Sequence, residues 1–224
     1  MKKIINLDYT ISKNIFKDVN NLWEVIPKIK SYILELGESL DKNNYTKIKD
    51  NVWVGSNVSI SNSATIIGPC IIDDNAEIRP NAYIRGNVII GKNSVIGNST
   101  EVKNSIIFDN VQIPHFNYVG DSILGYKAHM GAGSITSNIK SDRKPINIKD
   151  EDECIETGMK KIGAILGDNV EIGCNTVLCP GTIVGRDSIV YPSSMGIVYP
   201  SSMVRGVIGE NKIYKAKDNI VERK

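Results

Sequence analysis

From residue 48 onward large side chains return at every sixth position: Ile48, Val54, Ile60, Ile66, Ile72, Ile78, Ile84, Ile90, Ile96, Val102 and Phe108. Four positions after each stands a second, mostly small set, running from Val52, Val58 and Ala64 through Cys70, Ala76, Ala82, Val88, Ser94 and Thr100 to Ile106 and Gln112. A period of six is too long for one helix and too short for a helix pair. It suits a β-helix, with one short strand and one corner per hexad, large side chains filling a prism and small ones where space is tight. Asparagine often precedes the small residue, as at Asn51, Asn57, Asn75, Asn81, Asn87 and Asn93, and Asn tolerates the positive φ that a tight corner needs. The stride slips near 113–119 and resumes with Leu124 and Met130. It breaks over 137–161, then returns at Leu166, Ile172, Leu178, Val184 and Val190. The broken segment carries many charges of both signs and is too long for a corner, so it is expected as an extruded loop.

Ahead of the repeats, residues 10–37 read as helical. Leu22, Val25, Ile26, Ile29, Ile33 and Leu36 share one face, Pro27 fits only near a first turn, and Gly37 is a plausible stop. A helix this apolar on one side needs a surface to cover, so it is expected to lie on the repeat body. The implied organisation is an N-terminal cap or arm over 1–45, the β-helix over 46–210 and a basic tail over 211–224. Near its end the chain repeats Ile189-Val190-Tyr191-Pro192-Ser193-Ser194-Met195 as Ile197-Val198-Tyr199-Pro200-Ser201-Ser202-Met203. The shift is eight residues, which cannot extend a six-residue coil in register. One copy is expected to continue the coil and the other to bulge.

Composition narrows the function. With 27 Lys+Arg against 25 Asp+Glu the charge is nearly balanced, which argues against general nucleic-acid or membrane binding. The start turns polar too soon for a signal peptide, no apolar run approaches a membrane span, and Cys70, Cys154, Cys174 and Cys179 lack metal-finger spacing. Together these lead to the expectation of a cytoplasmic protein with reduced thiols.

The chemistry is concentrated between residues 78 and 144, in Ile78-Arg79-Pro80, Glu101-Val102-Lys103-Asn104-Ser105, His115-Phe116-Asn117-Tyr118-Val119-Gly120-Asp121 and Met130-Gly131-Ala132-Gly133-Ser134-Ile135-Thr136-Ser137-Asn138. This stretch resembles the acetyltransferase half of the bifunctional bacterial N-acetylglucosamine-1-phosphate uridyltransferase/glucosamine-1-phosphate acetyltransferase. Closer still is the likeness to stand-alone proteins labelled UDP-N-acetylglucosamine pyrophosphorylase-related. Those share Trp23-Glu24-Val25-Ile26-Pro27 and the segment from Glu156-Thr157-Gly158-Met159-Lys160-Lys161 to Asn175. The period alone leaves the hand of the coil open, and ordinary crossovers are right-handed. The resemblance implies a single-stranded left-handed β-helix.

The resemblance further implies an acetyl-CoA-dependent N-acetyltransferase acting on an amino-sugar phosphate, assembled as a homotrimer with sites at subunit boundaries and needing no metal for the transfer. His115 falls on the family's base, which takes a proton from the attacking amine. An imidazole titrates near working pH and suits that task. Ala132 falls on the N–H facing the thioester carbonyl, within a Gly-Ala-Gly run that lets backbone approach substrate. Arg79, Lys103 and Lys144 match phosphate and sugar contacts, and Tyr118, His129 and Asn138 match further sugar-pocket positions. Cys174 and Lys217 match positions along the coenzyme. The chain departs from the family at His129, where Asn is common, and at Ile139, where Tyr is common, so the acceptor is open. Nothing resembles the glycine-rich start of a nucleotidyltransferase, and no uridyl transfer is expected.

Two rival readings stay open. A γ-type carbonic anhydrase needs three zinc-binding histidines, and the chain has only His115 and His129. A non-catalytic trimerising or regulatory module partnering a separate nucleotidyltransferase would keep the prism without turnover.

Overall fold

A computed structural model describes residues 4–150, 153–192, 203–204, 206–216 and 219–222. The hexads stack as a parallel β-helix of about 7 turns, whose strands form three long sheets, here faces A, B and C. The first coil supplies Val52–Val54 to face A, Ser59–Ile60 to face B and Thr65–Ile66 to face C. Val52 lies opposite Cys70, and Cys70 opposite Val88, so one turn takes eighteen residues. Inward positions carry the large set: Ile66, Ile72, Ile78, Ile84, Ile90, Ile96 and Val102 are each at most 5% exposed. The asparagines singled out above, from Asn51 to Asn93, all sit at left-handed corners with φ between 54 and 61°.

The structure corrects the stride at both of its ends. Ile48 belongs to Thr46–Lys49, which runs antiparallel to Val52–Val54 outside the prism and leaves Ile48 47% exposed. Phe108 is one place past the inward residue, which is Ile107 opposite Ile90. Its ring is buried against Phe16 of the N-terminal arm, with centroids 6.0 Å apart and planes at 66°. Ile106 and Gln112 likewise point outward, and the buried small positions there are Ser105, Val111 and Asn117.

The slip lies elsewhere than expected. Earlier corners between faces C and A use Gly68-Pro69 and Gly86-Asn87. The next two are one residue shorter, with Asn104 and Asp121 as single left-handed residues. Each of these turns therefore takes seventeen residues: Ile89 meets Ile106, and Ile106 meets Ile123. His115 is on the regular stretch between the two short corners, so its place owes nothing to a local irregularity.

Face A is apolar on its outer side too. The outward column Trp53, Ile71, Ile89, Ile106, Ile123, Ile165 and Ile183 is at most 4% exposed. The chain's own N-terminal segment covers it. Asn6 donates its N–H to Asp168 in an upper coil, Asp109 donates to the Tyr9 carbonyl, and Tyr9 stacks on Tyr126 at 3.8 Å. A 3-10 turn over Leu22–Lys28, closed by a reciprocal Asn21–Glu24 cap, leads into the only described α-helix, Ile29–Ser39. The helical span is thus shorter than 10–37 at its start and passes Gly37 at its end. Gly37 is there for approach: a Cβ would come within 2.6 Å of the Trp53 ring.

The charged insertion leaves the stack after Thr136 and forms a hairpin, Asn147–Asp150 against Glu153–Glu156, instead of an irregular loop. Its root is anchored by Ile146 and Ile148, both 1% exposed, with Gly181 close beneath Ile146. The coil then resumes in register, Ile123 opposite Ile165 and His129 opposite Glu171. Of the tandem repeat, Ile189–Val190 continues the coil opposite Glu171–Ile172. Residues 193–202, and so the expected bulge, lie outside the described residues.

Candidate active site

Parallel stacking turns a periodic sequence into vertical columns, one residue per turn at about 4.8 Å steps. His115 ends a strand of face B opposite Asn98, just before the left-handed Phe116 at the corner with face C. The Gly133 N–H donates to the His115 carbonyl, and the Asn175 N–H donates to the Ala132 carbonyl. His115, Ala132 and Cys174 therefore stand in one corner column, each one turn above the last. The insertion hides this from the linear sequence by separating Ala132 from Cys174.

The local chemistry differs along that column. His115 is exposed, and among the described residues its imidazole has no hydrogen-bond partner. Among the described residues the Ala132 N–H also finds no acceptor. The backbone around both is held by Asn117, which is 3% exposed. Its side-chain oxygen accepts the His115 N–H at 3.0 Å, while its amide donates to the Gly131 carbonyl at 2.8 Å and to Ser134 Oγ at 3.0 Å. A buried amide satisfied on both sides rigidifies what it joins, here His115 and the Gly-Ala-Gly corner. Sequence reasoning missed Asn117. Its only signal was a polar residue at a small, buried position of the hexad.

Beside the column, face C carries a polar cluster. Tyr118 starts the next strand, and its ring extends over Gly120, where a Cβ would fall 2.5 Å from the phenol oxygen. Asn138 Nδ2 reaches the Tyr118 hydroxyl at 3.2 Å and the Asp121 carboxylate at 2.5 Å. Lys103 Nζ lies 3.2 Å from Asp121, and Arg85 pairs with Glu101 at 2.6 Å on the neighbouring part of the face. Burial, followed by the charges of Asp121 and Glu101, holds the Tyr118 phenol above its ordinary pKa. The structure thus gathers Lys103, Tyr118 and Asn138, and adds Asp121, Arg85 and Glu101.

The other expected contacts lie apart from this cluster. Arg79 is on face B two turns below and makes a bidentate pair with Glu77 at 3.0 and 3.2 Å. His129 is at the start of a face B strand, its Nδ1 2.7 Å from Glu171, in a shallow polar groove with Asn110, Gln112, Lys127, Asn169 and Asp187. Lys144 is exposed in the insertion, its N–H held by Asp142. Lys217 is outside the described residues. Among the described residues no three His, Cys, Asp or Glu side chains group as metal ligands. No helix among them is long and apolar enough to cross a membrane.

The model of the GMPPB C-terminal domain matches residues 66–190, more than half of the chain and most of the prism. The chain belongs to the GMPPB C-terminal domain family. It also resembles part of longer, bifunctional proteins. The bifunctional protein GlmU of Methanococcus maripaludis (strain DSM 14266) is 32% identical over 120 residues, 54% of this chain and 27% of that protein. The bifunctional sugar-1-phosphate nucleotidylyltransferase/acetyltransferase of Sulfurisphaera tokodaii is 33% identical over 91 residues, 41% of this chain and 23% of that protein. The chain thus spans about a quarter of the length of these relatives. Among solved structures, the hexapeptide transferase family protein from Anaplasma phagocytophilum aligns over 76% of this chain and 79% of its own, at 18% identity and TM-score 0.42. The polySia-specific acetyltransferase NeuO aligns over 78% and 88%, at 19% identity and TM-score 0.45.

Proposed function

We propose that this family member is an acetyl-CoA-dependent N-acetyltransferase whose acceptor is an amino-sugar phosphate. The observation that carries the reading is the corner column. An exposed His115 imidazole stands one turn from the Ala132 N–H, neither with a hydrogen-bond partner among the described residues, and Asn117 fixes the backbone around both. An extended pantetheine arm fits along a straight exposed column, past Ala132 and Cys174, with Lys217 a further contact from the tail. The acceptor lies on face C against Lys103, Tyr118 and Asn138, with Arg79, His129 and Lys144 serving it across a subunit boundary.

The chemistry follows. The amine nitrogen attacks the thioester carbonyl, forming the C–N bond as the carbonyl oxygen becomes an oxyanion. The Ala132 N–H donates to that oxygen, where a fixed donor is most effective. His115 accepts the proton the nitrogen sheds, and collapse breaks the C–S bond to release the coenzyme thiolate. Face A is closed by the chain's own arm, while faces B and C carry the site and are open. A homotrimer meeting on B and C would give each His115 its second wall. The whole of this takes place in the cytoplasm, with neither a metal nor uridyl transfer.

The test is thiol release from acetyl-CoA over a panel of amino-sugar phosphates. His115→Ala is expected to lower transfer by roughly 10²–10⁴-fold with the unfolding temperature unchanged. Full activity in the purified variant would remove His115 from the mechanism. A second reading, a sugar-nucleotide-binding module without turnover, draws on Arg79 and Lys103 both being neutralised internally by Glu77 and Asp121. Binding of acceptor without thiol release under any condition would favour it.

A further inference from the structure

Resting on the transferase reading, one more residue emerges in the acceptor wall. We propose that Asp121 is its positioning residue: the carboxylate fixes Lys103 directly and the Tyr118 hydroxyl through Asn138, while being too enclosed to touch substrate itself.

Asp121 is 3% exposed. Its Oδ1 accepts from Asn104 Nδ2 at 2.7 Å, and its Oδ2 from Lys103 Nζ at 3.2 Å and Asn138 Nδ2 at 2.5 Å. A buried carboxylate persists only when charge and hydrogen bonds meet it, and here all of these donors come from side chains. The backbone holds it as firmly. At φ 51° it is the single left-handed residue of a shortened corner, donating its N–H to the Lys103 carbonyl and accepting from the Gly163 N–H. With one residue removed from each of two successive corners, Asn104 and Asp121 stand one above the other and their side chains meet. Asn138, at the root of the inserted hairpin, then bridges this charge to Tyr118, whose ring has room only because residue 120 is glycine. One buried charge thereby sets the side-chain positions of Lys103, Tyr118 and Asn138 from beneath.

The experiment compares Asp121→Asn and Asn138→Ala in the full chain. Both are expected to raise the acceptor KM about tenfold or more, leaving the acetyl-CoA KM within about twofold, since the coenzyme column is at the other corner. Combining Asp121→Asn with Tyr118→Phe should lose no more than the larger single change, because both act along one chain of bonds. Unchanged acceptor KM, or both KM values moving together, would overturn the proposal. Should Asp121→Asn not fold, Asn138→Ala combined with Tyr118→Phe decides, and multiplying losses would overturn it. If the wild-type chain transfers no acetyl group to any acceptor, the transferase reading fails on its own. The Tyr118 phenol, followed by NMR of ¹³C-labelled tyrosine, then decides. Its titration should move to lower pH in Asp121→Asn, and an unmoved titration contradicts the role.

Discussion

Faces A and C come from the same repeat and differ in what their outward column carries. On face A it is Trp53, Ile71, Ile89, Ile106, Ile123, Ile165 and Ile183, at most 4% exposed. On face C it is Thr65, Tyr83, Glu101, Tyr118, Ile135 and Val177, each open in part to solvent. One face is apolar on both sides and serves as the bed for the N-terminal arm. The other carries a mixed outward column and is left uncovered. A β-helix thus divides labour by column, since every third hexad returns to the same face.

Four substitutions would break or sharpen this contrast. The largest effect is expected from Ile106→Ala, which removes a fully enclosed side chain between prism and arm. It should cost about 2–5 kcal/mol in chemical denaturation, while Ile135→Ala, at a site 37% exposed, should stay within about 0.5 kcal/mol. Equal costs on both faces would mean that the arm contributes nothing. Next comes Gly37→Ala, which drives a methyl group into the Trp53 ring and should cost about 1–3 kcal/mol in the same assay. Wild-type stability there would show that the helix can move off face A freely.

The smallest effect is a pH-dependent one at the edge of the arm. Burial, and then the charge of Asp73, push the Asp109 carboxyl up to about 6, although the Lys92 N–H and ammonium oppose the shift. Its folded pKa is thus above its unfolded value. The stability it contributes is complete below about pH 4 and is lost as pH rises through about 6. Asp109→Asn keeps an acceptor for the Lys92 N–H and removes the charge. It should be more stable than wild type by about 1–2 kcal/mol above pH 7, a gain that vanishes below pH 4. A gain independent of pH would assign the effect to packing.

Much of the prism could be read from the hexads, because a large aliphatic at every sixth position is out of step with a helix and too sparse for a flat sheet. The left-handed asparagines followed from the same logic. Composition within the hexad could not show where a coil loses one residue. Phe108 satisfied the pattern by accident, being large and buried for a different reason, under Phe16. The cover on face A was visible as Ile71-Ile72, Ile89-Ile90, Ile106-Ile107 and Ile123-Leu124, a doublet once per turn, yet a six-residue frame averages it away. For the site, the motif pointed to His115, Tyr118, Lys103 and Asn138, which the fold gathers at one corner and its adjoining face. Arg79 and His129 were matched by motif as well, but Glu77 and Glu171 hold them elsewhere on face B. Asn117 and Asp121 stood inside the motif without a role, because buried polar residues declare their work only through their partners.

The hairpin that interrupts the stack carries a consequence of its own. Leu124 pairs with Leu166 just as Ile107 pairs with Leu124, so the scaffold's register keeps no memory of the intervening segment. Lengthening such an excursion adds only about 0.6 kcal/mol of closure entropy per doubling. Its root nevertheless carries Asn138, which bonds Tyr118 and Asp121 in the proposed acceptor wall. On the proposed transferase reading, grafting one excursion would rewrite acceptor preference and leave the supporting architecture untouched.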